Sequence, residues 1–360
     1  MSNIKKILFI DRDGTLIFEP QDTFQIDSLE KLEILPGAIS ALQKLKKAGF
    51  YFVMVTNQDD LGSSNFPQNT FDIPQKKMMQ IFNNEGISFE EVFVCPHTQE
   101  VNCNCRKPKT GLLDDYIKNS HIDLQNSYVI GDRESDMQLA KNLKIQGIQV
   151  DTNLEKSPSW EEVANILTQR KASLQRKTKE TDISINMNID GIGKSKIDTG
   201  IPFFDHMLEQ IAKHGEIDLE LSCKGDLEVD EHHSIEDCGI ALGEAFASAL
   251  GNKKGIERYG FLLPMDESLA QVAIDFSGRT HCTFACNFDR EMLGAMPTEM
   301  ISHFFQSFAE GAKCTLNIQC SGENNHHKAE ACFKGFARTL KQAKQRNFDN
   351  MELPSSKGVL

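Results

Sequence analysis

Three aspartates in the first half of the chain stand where a buried apolar run ends. Asp11 and Asp13 lie two residues apart in DRDGTL, directly after KILFI, and Asp132 lies in GDRESD after SYVI. A carboxylate can act as a nucleophile, and a second one beside it can act as a general acid or base. Three clustered carboxylates need a hard cation such as Mg²⁺, which would also neutralise an approaching phosphate. The pattern therefore predicts a magnesium-dependent phosphoryl-transfer site.

Polar residues in two further segments could complete this site. Thr56 and Asn57 end the apolar run FYFVMV and could donate hydrogen bonds to phosphate oxygens, and Lys107 in RKPK could supply a positive charge. A pair of aspartates alone is more often a turn or a solvated strand end. Three polar strand ends of this kind favour an active site.

A cysteine-rich run precedes that lysine. In CPHTQEVNCNC, Cys95, His97, Cys103 and Cys105 have the residue types and short spacing of a Cys₃His zinc site. Four protein ligands leave no open position, so this zinc would be structural and would brace the loop that carries Lys107. The alternative is four unrelated side chains on a mobile loop. The other seven of the ten cysteines are scattered, which indicates core thiols.

Two helix-like segments of the second half, EHHSIED and NNHHKAE, contain adjacent histidines. His232 and Glu236 are four residues apart and share a helix face, while His233 points about 100° away. Adjacent histidines should therefore serve different metal ions. The eight candidate ligands are His206, His232, His233, Glu236, His303, His326, His327 and Glu330. Six imidazoles and two carboxylates suit Mn²⁺ better than Ca²⁺ and leave positions open for substrate. A single pair of histidines on one helix would more often have a structural role or occur by chance, but the repetition of the pair argues against chance.

The elements that must position the aspartates alternate along the chain. The apolar runs KILFI, FYFVMV, EVFVC and SYVIG read as buried strands, with amphipathic stretches such as AISALQKLKKAG between them. This order predicts an α/β fold with a doubly wound parallel sheet, in which ligands bind at the carboxyl ends of strands. A polar, basic segment around 168–181 then separates this pattern from a different one. The predicted domains are therefore 1–168 and 169–360.

The second domain repeats one order of elements. Each repeat has a helix that contains His206 or His303, then a strand, then the helix with adjacent histidines. Repetition at this scale predicts two duplicated half-domains. Each half is expected to be an α+β layer with helices on one face of a small sheet.

The charge composition of the chain limits which binding partners are expected. The 360 residues include 39 basic and 52 acidic side chains, a net charge of −13 that would repel a nucleic-acid backbone. The N-terminal segment MSNIKKILFIDRDG has too short an apolar run for a signal peptide or a membrane span, which predicts a cytoplasmic protein. Small anionic substrates would need local basic residues.

The segments DRDGTL, VTNQ, RKP and GDRESD resemble the successive motifs of the haloacid dehalogenase-like phosphatases. The resemblance implies that Asp11 forms an aspartyl phosphate and that Asp13 protonates the leaving alkoxide and later activates water. It also implies that Asp132 holds Mg²⁺ together with Asp11 and the backbone carbonyl of Asp13, while Thr56 and Lys107 orient and neutralise the phosphoryl group.

The cysteine-rich loop resembles that of the histidinol-phosphate and heptose-bisphosphate phosphatases, and both substrates remain open. In TNQDDLG, Asp60 stands where related loops would have glycine, which predicts a less permissive turn.

From about Lys177 onward the chain resembles imidazoleglycerol-phosphate dehydratase, through TKET, FFDHML, HHSIED, GIERYG, SGR, ENNHHKAEACFKGFAR and PSSKGVL. The resemblance implies that the eight ligands bind two Mn²⁺ ions, each completed across a subunit contact, in a shell of 24 subunits. It makes Glu180 an acid-base candidate. It also implies a phosphate pocket formed by Arg258, Arg279, Lys334, Ser355 and Lys357.

Together the two resemblances imply a bifunctional enzyme of histidine biosynthesis, a histidinol-phosphatase fused to a dehydratase. Fusion favours histidinol phosphate over a heptose bisphosphate, since both domains would then serve one pathway. Two other interpretations give the second domain no catalysis, as a metal-dependent scaffold or as a metal store. The phosphate pocket and the PSSKGVL tail would then have no purpose.

Overall fold

The computed structural model describes residues 4–150, 157–260 and 263–360. The chain divides into two compact units, Met1–Thr168 and Gln169–Leu360. Within the described ranges, no helix has the length and apolar character needed to cross a membrane.

The first unit is a parallel sheet with helices on both faces. Its strands are β1 (Lys6–Ile10), β2 (Phe50–Asn57), β3 (Phe89–Cys95), β4 (Tyr128–Gly131) and β5 (Gln146–Gln149). Its helices are α1 (Ala38–Lys47), α2 (Gln68–Asn84), α3 (Asp114–Asn119), α4 (Glu134–Leu143) and α5 (Trp160–Thr168). The strand order is β3-β2-β1-β4-β5 with every pairing parallel, which confirms the predicted doubly wound α/β fold.

The central strand β1 explains why the active-site loops meet. Its side chains alternate between two cores: Leu8 and Ile10 pack in the cluster that contains Trp160, while Ile7 and Phe9 pack in the cluster that contains Leu139. Burial on both faces requires the continuous apolar run seen in KILFI. Because β1 pairs with both β2 and β4, the residues that follow these three strands lie at one edge of the sheet.

The second unit contains two main sheets and four long helices in its described part. The first sheet has β6 (Lys171–Lys177), β7 (Thr181–Asn188), β8 (Ser195–Asp198) and β9 (Asp218–Gly225). The other strands are β10 (Tyr259–Gly260), β11 (Leu263–Met265), β12 (Ser268–Asp275), β13 (His281–Ala285), β14 (Met292–Leu293), β15 (Met296–Pro297) and β16 (Thr315–Ser321). The helices are α6 (Pro202–Gly215), α7 (His232–Leu250), α8 (Glu299–Ala312) and α9 (Asn325–Ala343).

The duplicated halves share one core. The strand orders are β6-β7-β9-β8 in the first sheet and β10-β12-β16-β13 in the second, where β11 also pairs with β12. Helix α7 of the first half packs on α8 of the second, and α6 packs on α9. A side chain at Gly243 would clash with the carbonyl of Phe308, and one at Gly311 with that of Ile240, so these glycines allow α7 and α8 to approach closely. The predicted α+β fold of duplicated half-domains is confirmed.

The polar segment after residue 168 is structured. Most of it forms β6, an edge strand paired with β7, in which Ala172 and Leu174 pack against the core. The exposed residues that alternate with them are Lys171, Ser173, Gln175 and Lys177. Exposed lysines are common on edge strands because they discourage further pairing. The sequence does contain a signal for this strand, because exposed and inward-facing residues alternate at every second position. The many basic residues obscure that alternation.

Candidate active sites

The aspartates of the first unit meet at the carboxyl edge of the sheet. Asp11 follows β1 directly, and its N–H donates to the Ile130 carbonyl of β4 at 2.9 Å. Gly14 has φ +72°, and a side chain there would clash with the Asp132 carboxylate, so glycine lets the loop approach Asp132. Thr15 Oγ1 donates to Asp132 Oδ1 at 3.4 Å. The loop after β1 and the loop after β4 therefore form one site.

Lys107 joins this site from the cysteine-rich loop. Its Nζ lies 2.7 Å from Asp11 Oδ1 and 2.7 Å from Asp136 Oδ1, and the side chain is buried. Burial alone would lower the pKa of Lys107, but the charges of Asp11 and Asp136 outweigh it and raise that pKa. Lys107 is thus a charged ammonium beside the carboxylate expected to be the nucleophile.

The two polar residues that end β2 differ in their contacts. Thr56 Oγ1 accepts a hydrogen bond from Gln58 Nε2 at 2.8 Å, which leaves its own proton available to a phosphate oxygen. Asn57 is expected to donate to phosphate, and its amide also contacts the backbone of Lys107. Asn57 Oδ1 accepts from the Lys107 N–H at 3.0 Å, and Asn57 Nδ2 donates to the Lys107 carbonyl at 3.3 Å. Asn57 therefore positions Lys107.

Asp13 is held by two side chains that the sequence analysis did not single out. Arg12 Nη1 donates to Asp13 Oδ1 at 2.6 Å, and Gln58 Nε2 donates to Asp13 Oδ2 at 2.5 Å. Asp136 was also missed. Gln58 lies in TNQ and Asp136 lies in GDRESD, so their position inside these motifs could have identified them as site residues.

Burial and mutual repulsion act on the carboxylates of this site. Burial first, and then the charge of Asp11, raise the pKa of Asp132 to about 8. Burial also raises the pKa of Asp136, to about 6, although the charge of Lys107 opposes the shift. Crowded, buried carboxylates of this kind are the oxygen donors that fit a hard divalent cation.

The predicted turn after Asn57 is retained despite Asp60. Asp60 has φ +63°, in the left-handed region that favours glycine. Aspartate is one of the few other residues that adopts this region routinely, because its short polar side chain can hydrogen-bond locally. Asp60 thus takes the backbone conformation that glycine would take at this position.

The four side chains of the cysteine-rich loop converge. Cys95 Sγ lies 3.6 Å from Cys103 Sγ and 3.3 Å from Cys105 Sγ. His97 Nδ1 lies 3.8 Å from Cys95 Sγ and 3.1 Å from Cys105 Sγ. A tetrahedron with zinc–sulfur bonds of about 2.3 Å has edges of roughly 3.8 Å. The donor set and its spacing therefore fit a closed zinc site two residues before Lys107.

The second unit forms two ligand triads, each on a helix pair that joins the half-domains. Between α6 and α9, Glu330 Oε1 lies 3.0 Å from His206 Nε2 and 3.8 Å from His326 Nε2. Between α7 and α8, a second triad is centred on Glu236. Its Oε1 lies 2.7 Å from His303 Nδ1 and 3.3 Å from His232 Nε2. Imidazole nitrogens with one carboxylate form a donor set that suits a transition-metal ion.

The two remaining histidines lie outside these triads. His233 Nδ1 is 3.2 Å from Asp226 Oδ1, and His327 Nδ1 is 2.9 Å from Glu267 Oε2. Each imidazole therefore has one nitrogen at a carboxylate and the other nitrogen available. Asp226 and Glu267 were missed by the sequence analysis, and Glu267 lies 60 residues from its histidine, a separation that gives no signal.

Glu180 lies next to the first of these pairs. Its carbonyl accepts a hydrogen bond from the Asp226 N–H at 3.1 Å, and its side chain is exposed. Glu180 directly precedes β7, and Glu267 directly precedes β12. The two glutamates therefore occupy related places, each ahead of a strand in one half-domain.

The residues expected to bind phosphate fall into two groups. The C-terminal tail approaches Arg258, whose Nη1 donates to the Pro354 carbonyl at 2.9 Å, and its last residue, Leu360, lies against Gly278. Arg279 follows that glycine, and Ser355 and Lys357 belong to the tail. Lys334 is elsewhere, with Nζ 3.3 Å from Glu330 Oε2 in a ligand triad.

Arg258 is also paired with Asp275. Its Nε and Nη2 lie 2.5 Å and 3.0 Å from the two carboxylate oxygens, a bidentate contact. That hydrogen bond, together with the carboxylate charge, raises the pKa of Arg258. The guanidinium is therefore held in one orientation beside the tail.

Comparison with known proteins assigns the chain to a family. It is 54% identical over 359 residues to the histidine biosynthesis bifunctional protein HisB of Legionella pneumophila strain Philadelphia 1, covering 99% of this chain and 100% of the relative. The chain belongs to the HisB family. It is likewise 54% identical to the HisB protein of Campylobacter jejuni subsp. doylei, over 99% of each chain.

The HisB assignment agrees with matches to each unit. Residues 199–340 match the family model described as imidazoleglycerol-phosphate dehydratase, and residues 104–169 match the haloacid dehalogenase-like hydrolase model. The solved imidazoleglycerol-phosphate dehydratase of Staphylococcus aureus subsp. aureus N315 is 34% identical, covers 49% of this chain and 99% of its own, and has a TM-score of 0.45.

Membership in the HisB family establishes the class of function. The chain is a bifunctional enzyme of histidine biosynthesis that combines an imidazoleglycerol-phosphate dehydratase, a lyase, with a haloacid dehalogenase-like histidinol-phosphatase, a hydrolase. Both activities act on small phosphate-bearing molecules, and both families use divalent metal ions.

Proposed function

We propose that residues 1–168 hydrolyse histidinol phosphate to histidinol with Asp11 as the nucleophile. The observation that carries this proposal is the buried ion pair between Lys107 Nζ and Asp11 Oδ1 at 2.7 Å. A lysine at this distance favours the ionised carboxylate and can neutralise a phosphoryl oxygen. Asp11 Oδ attacks phosphorus, the bond from phosphorus to the substrate oxygen breaks, and an aspartyl phosphate forms.

Asp13 then serves both half-reactions. It gives a proton to the leaving alkoxide, and afterwards it takes a proton from the water that attacks the aspartyl phosphate, which releases inorganic phosphate and restores Asp11. Arg12 and Gln58 hold the two oxygens of Asp13 in place. Thr56 donates its free proton to a phosphoryl oxygen. Asp11, Asp132 and the carbonyl of Asp13 would hold Mg²⁺, which would offset the negative charge of the phosphate.

The cysteine-rich loop is proposed to hold structural zinc. Cys105 is two residues before Lys107, so a fixed loop fixes the ammonium that faces Asp11. Arg106 adds a second restraint, since its Nη1 donates to the His97 carbonyl at 2.8 Å. Zinc would thus act on phosphatase turnover through the position of Lys107.

Substrate preference tests the phosphatase proposal. Phosphate release by the full-length protein should be much faster from histidinol phosphate than from a heptose bisphosphate. A strong preference for the heptose would instead support the alternative substrate class. The Asp11→Asn variant is the control, because any phosphate release that it retains comes from a contaminant.

Residues 169–360 are proposed to dehydrate imidazole glycerol phosphate to imidazole acetol phosphate. The carbon that loses its proton is bonded to an imidazole ring, so no ordinary enolate can form. The two ligand triads would hold Mn²⁺, which would supply positive charge that stabilises the ring as it accepts the electron pair, while hydroxide leaves the neighbouring carbon. Glu180 is proposed to move a proton at the reacting carbon or at the leaving hydroxyl.

Each Mn²⁺ site is proposed to be completed by another subunit. The two triads supply three ligands each, whereas His233 and His327 point out of them toward Asp226 and Glu267. Neighbouring residues on a helix diverge by about 100°, so neither of these histidines can join the triad that its neighbour serves. A second chain must meet them, which supports a large homo-oligomer and, by family resemblance, a 24-subunit shell.

The phosphate group is proposed to bind where the tail meets Arg258 and Arg279, with Ser355 and Lys357 from the tail. Lys334 is expected to join them from its place beside Glu330. A cluster of this kind explains how a chain of net charge −13 binds an anion. Removal of Arg279 by Arg279→Ala should raise the KM of the dehydratase and leave that of the phosphatase unchanged.

A further inference from the structure

Three cysteines of the second unit gather at one place that neither activity uses. Cys286, Cys320 and Cys332 have their Sγ atoms within 4.8 Å of one another. The sequence analysis counted them among scattered core thiols, because they are separated by more than ten residues in the chain. Cys332 is fully buried, while Cys286 and Cys320 are partly exposed. The group is therefore a pocket of sulfur atoms with one side open to solvent.

The fold explains the gathering. Strands β13 and β16 run parallel with Ala285 beside Gln319, so the next residues along them, Cys286 and Cys320, are neighbours. Helix α9 packs on the same sheet and brings Cys332 to it. Cys332 follows Glu330 by two residues, which places it about 200° around the helix. The sulfur cluster thus lies on the opposite face of α9 from that metal ligand.

The charge around the cluster favours a thiolate. Lys328 is 4% exposed, and its Nζ donates to the carbonyl of Asn287, the residue after Cys286, at 2.6 Å. Hydrogen bonds from the Cys286 and Cys332 thiols, assisted by the Lys328 ammonium, lower the pKa of Cys320 to about 4. The positive charge of Lys328 therefore acts on the sulfur atoms, and it would offset the negative charge that they acquire when a metal ion displaces their protons.

We propose that Cys286, Cys320 and Cys332 form a site for a soft, thiophilic metal ion, with Cu(I) as the ion that fits it best. Three sulfur atoms around bonds of about 2.3 Å lie roughly 4 Å apart, which is compatible with the observed cluster. No histidine or carboxylate belongs to this group in the described part of the chain, so it is unsuited to Mg²⁺ or Mn²⁺. Binding would release to solvent the protons of the thiols that are still protonated, and it involves no change of oxidation state.

The test is an anaerobic titration of full-length, metal-loaded protein with Cu(I), in competition with a chromogenic Cu(I) chelator. Wild type should bind one more Cu(I) per chain than Cys320→Ser, since any Cu(I) taken by the cysteine-rich loop of the first unit is common to both. Cys282→Ser is the matched control and should behave as wild type, because Cys282 lies on β13 but outside the three-sulfur group. X-ray absorption at the copper edge should report sulfur ligands only.

A second variant keeps the test informative if the first variant does not fold. If Cys320→Ser loses dehydratase activity, the other partly exposed position is used instead, and Cys286→Ser should lose the same Cu(I) ion. Equal stoichiometry in wild type and in a folded cysteine variant would overturn the proposal. Isolation of the protein with Cys286 and Cys320 joined as a disulfide, after rapid thiol trapping, would overturn it as well.

Discussion

The candidate metal-binding regions of the two units differ in whether all of their expected ligands converge within one chain. The cysteine-rich loop of the first unit brings four ligands together within eleven residues, and all four donor atoms converge in a single chain. The triads of the second unit have three ligands each, and two further histidines point away from them. A loop can wrap its ligands around one ion, whereas a helix directs adjacent ligands about 100° apart.

This difference predicts different consequences of metal binding. A site that is closed within one loop contributes its binding energy to local order, here to the position of Lys107. A site that is divided between chains contributes its binding energy to assembly, because the metal stabilises only the associated state. The phosphatase activity of the first unit should therefore be independent of oligomer assembly, whereas the dehydratase activity of the second unit should depend on it.

The largest expected effect follows from removal of the phosphatase nucleophile. Asp11→Asn keeps the shape of the side chain but not the carboxylate, so phosphatase turnover should fall by several orders of magnitude. Dehydratase activity and assembly mass should stay at wild-type values. Both activities are assayed on one preparation, and loss of dehydration in this variant would contradict the independence of the two units.

Removal of a diverging histidine should affect the second unit beyond its own site. His327→Ala should abolish dehydration and lower the assembly mass, while phosphatase activity is kept. Light scattering on a size-exclusion column measures the mass, with chelator-treated wild type in parallel. His281→Ala is the control, since His281 is exposed and outside the ligand triads.

If metal-free protein kept its full assembly mass, the prediction that metal binding in the second unit stabilises the oligomer would be wrong. Each triad would then bind its metal ion within one chain, with solvent as the remaining ligands. The position of His327 would then be explained by its contact with Glu267 alone.

An intermediate effect is expected at the closed site. Cys103→Ser removes one of four zinc ligands and should cost several kcal/mol of metal affinity, on the order of one ligand's share of structural zinc binding. Phosphatase activity should fall because Lys107 loses its support, while dehydration is unchanged. Elemental analysis of protein purified without chelators measures zinc, and its absence from wild type would refute the site.

The sequence predicted what short spacing and periodicity determine. The run KILFI reads as a strand buried on both faces, and Cys95, His97, Cys103 and Cys105 share one loop, so their convergence needs no knowledge of the remaining fold. Contacts set by tertiary packing could not be predicted. Glu267 reaches His327 from 60 residues away, and Cys286 meets Cys320 only because β13 pairs with β16. Asp226, seven residues before His233, was closer but carried no motif.

The smallest effect is expected at that missed carboxylate. With His233 Nδ1 held by Asp226, the imidazole presents Nε2 to a metal, and outer carboxylates of this kind typically contribute about 10–100-fold to metal affinity. Asp226→Ala should weaken Mn²⁺ binding by about that factor, measured by metal titration of chelator-stripped protein. Asp226→Asn keeps an acceptor without the charge and should fall between wild type and Asp226→Ala. Asp182→Ala, which removes a surface partner of Lys177, is the control. Unchanged affinity in Asp226→Ala would mean that His233 is oriented by the neighbouring chain alone.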